Sequence, residues 1–380
     1  MQREAVSTRA GKPPVNTPPD GVALRKAVRL PTGGFFISME QEGEQDESWP
    51  TSLMAHSAMK CTRNVAWKDS VLRWRIPRNH LLYVLSLKKE LDELRYHPAP
   101  YCVFRVTEPK PRDIKAPLFR DRVVQTAALD GGLQDDLSKG FIYDNTACQK
   151  DKGMHLGIER LKCHMQRVWR RFGFSAWAAK LDLHDYYGSI VHDGLIKDTR
   201  KVVRNKDYMR EAETVIRSFG PRGLGLGSPM SQQMALFRLS DFDHYVKEVL
   251  HCKYYERYND DIVVIEPTKE RLQEVVAKMK EKLAELGLQL NPKSCIFPLS
   301  QGIVFLKWRF TLTDTGRVVM RKRRKSVSRF VRYMRHQQSR MKAGELAEQD
   351  IRNSFESWKS HMEMGDSYKV INKVRRLLNV

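Results

Sequence analysis

Tyr258-Asn259-Asp260-Asp261, preceded by Lys253-Tyr254-Tyr255-Glu256-Arg257 and followed by Ile262-Val263-Val264-Ile265, decides how the rest of the chain is read. A β-rich segment, a polar pair suited to a tight turn and a second β-branched run predict a hairpin with two adjacent carboxylates at its tip. Two unpaired carboxylates at one turn repel each other. A hard divalent cation, magnesium or manganese, would neutralise them. An ordinary Asn-Asp-Asp turn satisfies the same four residues, so the flanking segments must choose.

Upstream, Ala178-Ala179-Lys180-Leu181-Asp182-Leu183 reads as a strand with a third acid, Asp182, at its end. Acids on neighbouring strands are what a two-metal phosphoryl-transfer site requires. Between the two lies Gly223-Leu224-Gly225-Leu226-Gly227-Ser228-Pro229-Met230-Ser231-Gln232, which opens a helix; its glycines let backbone approach a substrate, and no Gly-Lys-Ser/Thr follows to make a P-loop. Downstream, Leu272, Val275, Val276, Met279, Leu283 and Leu286 mark an amphipathic helix stopped by Gly287, with a strand expected at Leu288 to Leu290. Strand with acid, helix, double-acid hairpin, helix and strand describe an α+β fold with a ferredoxin-like antiparallel sheet.

The chain has 380 residues and a formal net charge of 67 − 45 = +22. That imbalance repels itself unless a polyanion supplies the missing charge, and nucleic acid is the leading candidate. With 41% apolar and 29% charged residues the composition is that of a soluble globular protein. No run of about 18 apolar residues and no signal segment is present, so the expected location is cytoplasmic, without a membrane partner. Six scattered cysteines lack metal-ligand spacing and are expected to be reduced and mostly buried.

Residues 1 to about 50, rich in Pro, Gly, Ser, Thr and charge, predict a loosely ordered extension that docks on the body or a partner. Leu81 to Leu94 carries a helical period, and Tyr101 to Val106 reads as a strand. The turn after it presents Lys110 and Arg112, which suits a triphosphate and equally a solvated basic turn. Beyond Arg317 come Arg321-Lys322-Arg323-Arg324-Lys325 and then Val327, Phe330, Val331 and Met334 at helical spacing, so one face packs while the other offers cations to a phosphate backbone.

These motifs, in this order, resemble a prokaryotic reverse transcriptase, of the group found in diversity-generating retroelements and anti-phage (antiviral) defence systems. The resemblance covers roughly residues 100 to 312 and, more loosely, the basic C-terminal segment. It implies a right-hand polymerase: an N-terminal extension over 1–70, fingers over 71–175, a palm over 176–312 and a basic helical thumb over 313–380. Asp182, Asp260 and Asp261 fall on the family's catalytic metal ligands, implying two Mg2+ ions with Mn2+ as a substitute. Lys110, Arg112 and Lys293 match residues near the triphosphate, and Tyr187 stands where the family places a bulky side chain under the incoming sugar. Gly227 and Gln232 lie in the segment that looks like the diversity-generating form, and Asn145 to His155 is similar to the segment before the palm. Two positions depart from the pattern: Leu226 stands for the usual Gln, and Lys307 for the Gly of the primer grip.

The resemblance implies an RNA-directed DNA polymerase (a nucleotidyltransferase) that makes cDNA from a dedicated non-coding or template-repeat RNA. Its partners would be RNA template, DNA primer or product, deoxynucleoside triphosphates, and an accessory protein or a second copy of itself. Lys307, Arg321, Lys322, Arg323, Arg324 and Lys325 would hold nucleic acid. Template-independent or protein-primed synthesis, and a non-catalytic RNA-binding scaffold, are the alternatives; the intact trio of acids speaks against the scaffold.

Overall fold

The structure is a computed structural model and describes residues 27–29, 35–37, 48–63, 77–107 and 111–379. Two compact units, Met1–His97 and Pro98–Val380, make up the chain. The first holds two short antiparallel strands, β1 (Ala27–Arg29) and β2 (Phe35–Ile37), and two helices, α1 (Thr51–Cys61) and α2 (Pro77–Asp92). In α2, Val84, Leu87 and Leu91 are buried at the expected helical spacing. Within the 1–70 segment, Met54, Ser57, Ala58 and Cys61 of α1 recur at three- and four-residue steps and make a buried stripe.

The second unit begins with an antiparallel hairpin, β3 (Cys102–Val106) and β4 (Arg112–Ala116), followed by α3 (Phe119–Ala128), α4 (Gln134–Ser138) and α5 (Met154–Phe172). Strand β5 (Trp177–Asp182) leads into α6 (Tyr186–Ser189), α7 (His192–Val202), α8 (Lys206–Arg217), α9 (Pro229–Arg238) and α10 (Ser240–His244). Next come the hairpin β6 (Tyr254–Tyr258) and β7 (Asp261–Glu266), helix α11 (Lys269–Glu285) and β8 (Cys295–Pro298). Strands β5 to β8 form one antiparallel sheet in the order β6-β7-β5-β8, the ferredoxin-like order.

The unbroken apolar run of β7 follows from its place in that sheet. Flanked by β6 and β5, it buries Ile262, Val263, Val264 and Ile265 on both faces. Val263 and Ile265 share a core cluster with Ile158, Leu161, Met165 and Val168 of α5. Helix α11, capped by Thr268 and ended at Gly287 with φ +72°, packs on β5, β7 and β8.

The fourth strand is Cys295–Pro298 and not Leu288–Leu290. Leu290 makes only an isolated bridge to Leu183, because Asn291 bonds back to the Asp182 carbonyl, Pro292 offers no N–H and Ser294 closes a turn on Asn291.

A second sheet of β9 (Ile303–Phe305), β10 (Trp308–Leu312) and β11 (Val318–Lys322) adds Phe305, Trp308, Phe310 and Met320 to the same core. The chain ends in a three-helix group, α12 (Arg324–Lys342), α13 (Glu348–Glu363) and α14 (Tyr368–Leu378), around Met334, Ile351, Phe355, Val374 and Leu378. The ring of Phe330 stacks on Trp358 at 4.3 Å. The basic run is therefore divided: Arg321 and Lys322 are in β11, paired with β10, and only Arg324 and Lys325 begin the helix.

No helix among the described residues is long and apolar enough to cross a membrane. The six cysteines are free, but only Cys61 and Cys252 are buried; Cys148 and Cys163 are half-buried, and Cys102 and Cys295 are exposed.

Candidate active site

The sheet brings Asp182 to the two acids of the hairpin. Asp182, last residue of β5, is the register partner of Asp261, first residue of β7, and Asp260 sits in the turn beside it. The turn needs a left-handed residue, and Asn259 supplies it at φ +55°, a conformation Asn tolerates better than most side chains. Burial raises the Asp260 carboxyl above its ordinary range, with the Asp182 charge adding to the effect. Burial pushes Asp261 to about 6; the Lys180 ammonium opposes this, while Asp260 and Asp182 reinforce it. The three carboxylates thus feel one another at the open end of the sheet.

Each acid is held. Asp182 accepts from Asn291 Nδ2 at 3.0 Å, and its backbone N–H donates to Ser294 Oγ at 3.1 Å. Asp261 Oδ1 accepts from Lys180 Nζ at 2.6 Å, both side chains being about 27–28% exposed. Behind the turn, the fully buried Arg257 donates from Nη1 to the Asn259 carbonyl at 3.1 Å and from Nε to Asp243 at 2.7 Å. Residues 144–146 run parallel to β6, exchanging backbone bonds with Arg257.

The remaining predicted residues divide into two groups. Tyr187, in α6, is half-buried and edge-on to Tyr186 at 5.7 Å. Burial pushes its hydroxyl to about 12; Cys148 and Asp260 add to that and Arg112 opposes it. Arg112 opens β4 and is exposed. Gln232, in α9, donates from Nε2 to Cys148 Sγ at 2.6 Å, and Gln233 donates to the Cys148 carbonyl at 2.8 Å. Gly227, at φ +110°, lets the loop lie against β4: a Cβ there would stand 2.8 Å from Ile114 Cγ2, and the neighbouring Leu226 carbonyl accepts from Lys115 N–H at 2.8 Å.

Lys293 is exposed in the Asn291–Ser294 turn. Lys307 lies at the two-residue turn joining β9 and β10, and Leu306 and Lys307 both take left-handed backbone, φ +49° and +67°. Lys322 holds its ammonium 3.9 Å from the Trp308 ring centroid, and burial, with Lys307 nearby, lowers it to about 8. Arg323 is the residue before α12, and Arg324 and Lys325 are exposed on its first turn. Lys110 lies outside the described residues.

Sequence reasoning passed over Lys180, Asn291, Cys148 and Arg257. Lys180 alone carried a signal: on a strand, a residue two before Asp182 shares its face.

Asp182, Asp260 and Asp261 offer only hard carboxylate oxygens, the donor chemistry of a divalent cation such as magnesium. Among the described residues, no group of three His, Cys, Asp or Glu side chains is drawn close enough to hold a metal ion as it stands. The acids fit such an ion by chemistry and by their common sheet end, with one oxygen of Asp261 engaged by Lys180.

Residues 145–310 match the family model described as reverse transcriptase (RNA-dependent DNA polymerase). No curated protein matches the chain. Among solved structures, telomerase from Candida albicans with a TWJ fragment of telomeric RNA aligns with a TM-score of 0.48 at 12% identity, over 67% of this chain and 53% of that one. Apo telomerase from Candida tropicalis aligns with a TM-score of 0.45 at 12% identity, over 57% and 47%. This chain spans about half the length of these telomerase chains. The segment matched by the family model runs from the strip beside β6 into β10 and includes all three acids.

Proposed function

We propose that the chain copies RNA into DNA by two-metal phosphoryl transfer, with Asp182, Asp260 and Asp261 as the ion ligands. The observation that carries this reading is the cross-strand pairing of Asp182 with Asp261, with Asp260 in the adjoining turn, inside the segment that matches the reverse transcriptase family model. Bound divalent ions would activate the primer hydroxyl and offset charge on the transferring phosphoryl group. The protein's own residues supply position and charge. Arg112, on β4, offers a cation to the triphosphate, and Lys293 a second one from the exposed turn that begins at Asn291. Tyr187, whose hydroxyl feels the charges of Asp260 and Arg112, would lie under the incoming sugar. Gln232, fixed on Cys148, lines the approach from α9.

The RNA is held by charge. The +22 balance and the run through Lys307, Lys322, Arg323, Arg324 and Lys325 favour a long polyanion over a small substrate. The Leu226 to Gln232 segment favours a dedicated template RNA in a diversity-generating retroelement, and the long N-terminal extension favours a defence setting.

Primer extension tests the reading. Wild-type protein with an RNA template, a DNA primer and Mg2+ should incorporate all four deoxynucleotides in proportion to the template sequence. Asp182→Asn and Asp260→Asn should each abolish extension while melting and RNA binding stay close to wild type. Extension within a few-fold of wild type in either variant overturns the ion-ligand assignment. Incorporation independent of the template's sequence overturns RNA copying.

A further inference from the structure

The bond between Lys180 and Asp261 has a role that goes beyond holding the sheet. Lys180 Nζ lies 2.6 Å from Asp261 Oδ1. On β5 it precedes Asp182 by two residues, so its side chain rises from the same face, and its ammonium also lies 5.9 Å from the Phe305 ring centroid. A positive group is thus built into the cluster of three acids, anchored on the strand that carries one of them and bonded to another. Lys180 thereby sets a counter-charge on Asp261 against the neighbouring charges of Asp260 and Asp182.

We propose that Lys180 is a resident cation that occupies Asp261 when no divalent ion is bound and must release it when one binds, so that it sets how tightly the site takes its ions. This rests on the ion-ligand assignment of the three acids. The physics is competition for one oxygen. A divalent ion on Asp261 Oδ1 would stand a few ångströms from the Lys180 ammonium, and the two positive charges repel strongly in a half-buried site. The lysine therefore keeps the ion-free acids from repelling one another apart, and it weakens ion binding by the same interaction. Its role is that of a positioning residue acting through Asp261.

The test measures ion binding, not polymerisation. Mn2+ is titrated into metal-free full-length protein and the free ion is followed by electron paramagnetic resonance, for wild type, Lys180→Met, Lys180→Gln and Asp261→Asn, each checked for native circular dichroism. Lys180→Met should bind Mn2+ about ten-fold tighter or more, since a nearby unit charge is removed. It should also melt lower than wild type in EDTA and gain more melting temperature on adding Mn2+. Lys180→Gln, which removes charge but keeps a hydrogen-bond donor, should tighten binding in the same direction and carries the test if the Met variant fails to fold. Asp261→Asn should weaken binding. If Asp261→Asn weakens binding while both Lys180 variants bind as wild type does or more weakly, the ion-ligand assignment stands and the competition is overturned. If neither wild type nor the Lys180 variants bind Mn2+, the ion-ligand assignment falls and the competition falls with it.

Discussion

Arg257 Nη1 donates to the carbonyl of Asn259 at 3.1 Å, so the side chain just before the Asn259-Asp260 turn holds that turn's own backbone. The same guanidinium grips Asp243 in α10 and the Leu236 carbonyl in α9. Both Arg257 and Asp243 are fully buried. The turn that carries two repelling acids is thereby tied to the helices behind it.

Breaking that tie should loosen the acids before it affects nucleotide affinity. Asp243→Asn leaves Arg257's charge buried without its counter-charge, a loss on the order of 3 kcal/mol. The expected result is a melting point lower by several degrees and a kcat reduced ten-fold or more, with KM for deoxynucleotides within two-fold. Steady-state primer extension with a melting curve reads both. An unchanged kcat in a destabilised variant would mean that the contact is structural only.

Tyr187 should act as the sugar gate. Its ring is half-buried and its hydroxyl feels the charges of Asp260 and Arg112; with the incoming sugar over that ring, a ribose 2′-hydroxyl would collide with it. Tyr187→Ala should raise ribonucleotide incorporation relative to deoxynucleotide by about a hundred-fold, the scale of a steric discrimination of roughly 3 kcal/mol. Competition between the two nucleotides in single-turnover extension measures it. A wild-type enzyme that already prefers ribonucleotides overturns the assignment.

Lys307 occupies backbone at φ +67° in the β9–β10 turn, where glycine carries no steric penalty. Lys307→Gly should stabilise the protein by about 1 kcal/mol. It should also weaken binding of a primer–template duplex, as a cation beside Lys322 is lost. Loss of affinity without a gain in melting temperature would show that the turn is unstrained.

Glu256, buried on β6, is pushed from 4.5 to about 9, first by burial and then by the charge of Asp144. A carboxyl raised on folding favours the native state below its unfolded value near 4.5, and that contribution is lost as pH rises toward 9. Stability should therefore decline with pH across this window by up to about 1.4 kcal/mol per unit from this group. Glu256→Gln should flatten the decline, leaving melting near pH 5 little changed and raising it at pH 8. Parallel wild-type and variant melting curves across pH 5 to 9 would remove Glu256 as the cause.

The basic residues at the start of α12 should set part of the salt dependence of RNA binding. Arg323 caps and Arg324 begins a helix without a single acidic residue, and both are exposed. Reversing both charges should lower the slope of log affinity against log salt by about two, because two fewer counterion-releasing contacts remain. An unchanged slope would make this run a solvated surface.

By itself the sequence determined the elements that depend on local pattern. The period of α2 and α11, the hairpin around Asn259, the placing of Asp182 at a strand end and the helix stop at Gly287 all follow from side-chain spacing and turn chemistry. The three acids could be named for the same reason, since each sits at a strand end or turn that its neighbours define. Where pattern was short or weak, local reasoning failed. The strand expected at Leu288 to Leu290 became a bridge and a turn, because the bonds of Asn291 to Asp182 come from a partner 109 residues away. The run Arg321 to Lys325 was divided between strand and helix by the register of β11 on β10, which no local period encodes.

Only the tertiary structure decided what surrounds the acids. Lys180 on Asp261, Arg257 on Asp243, and Gln232 on Cys148 are contacts between segments that the chain brings together only on folding. A residue's type limits the bonds it can make; which partner it meets is set by strand register and by burial, and burial is what makes each of those contacts count.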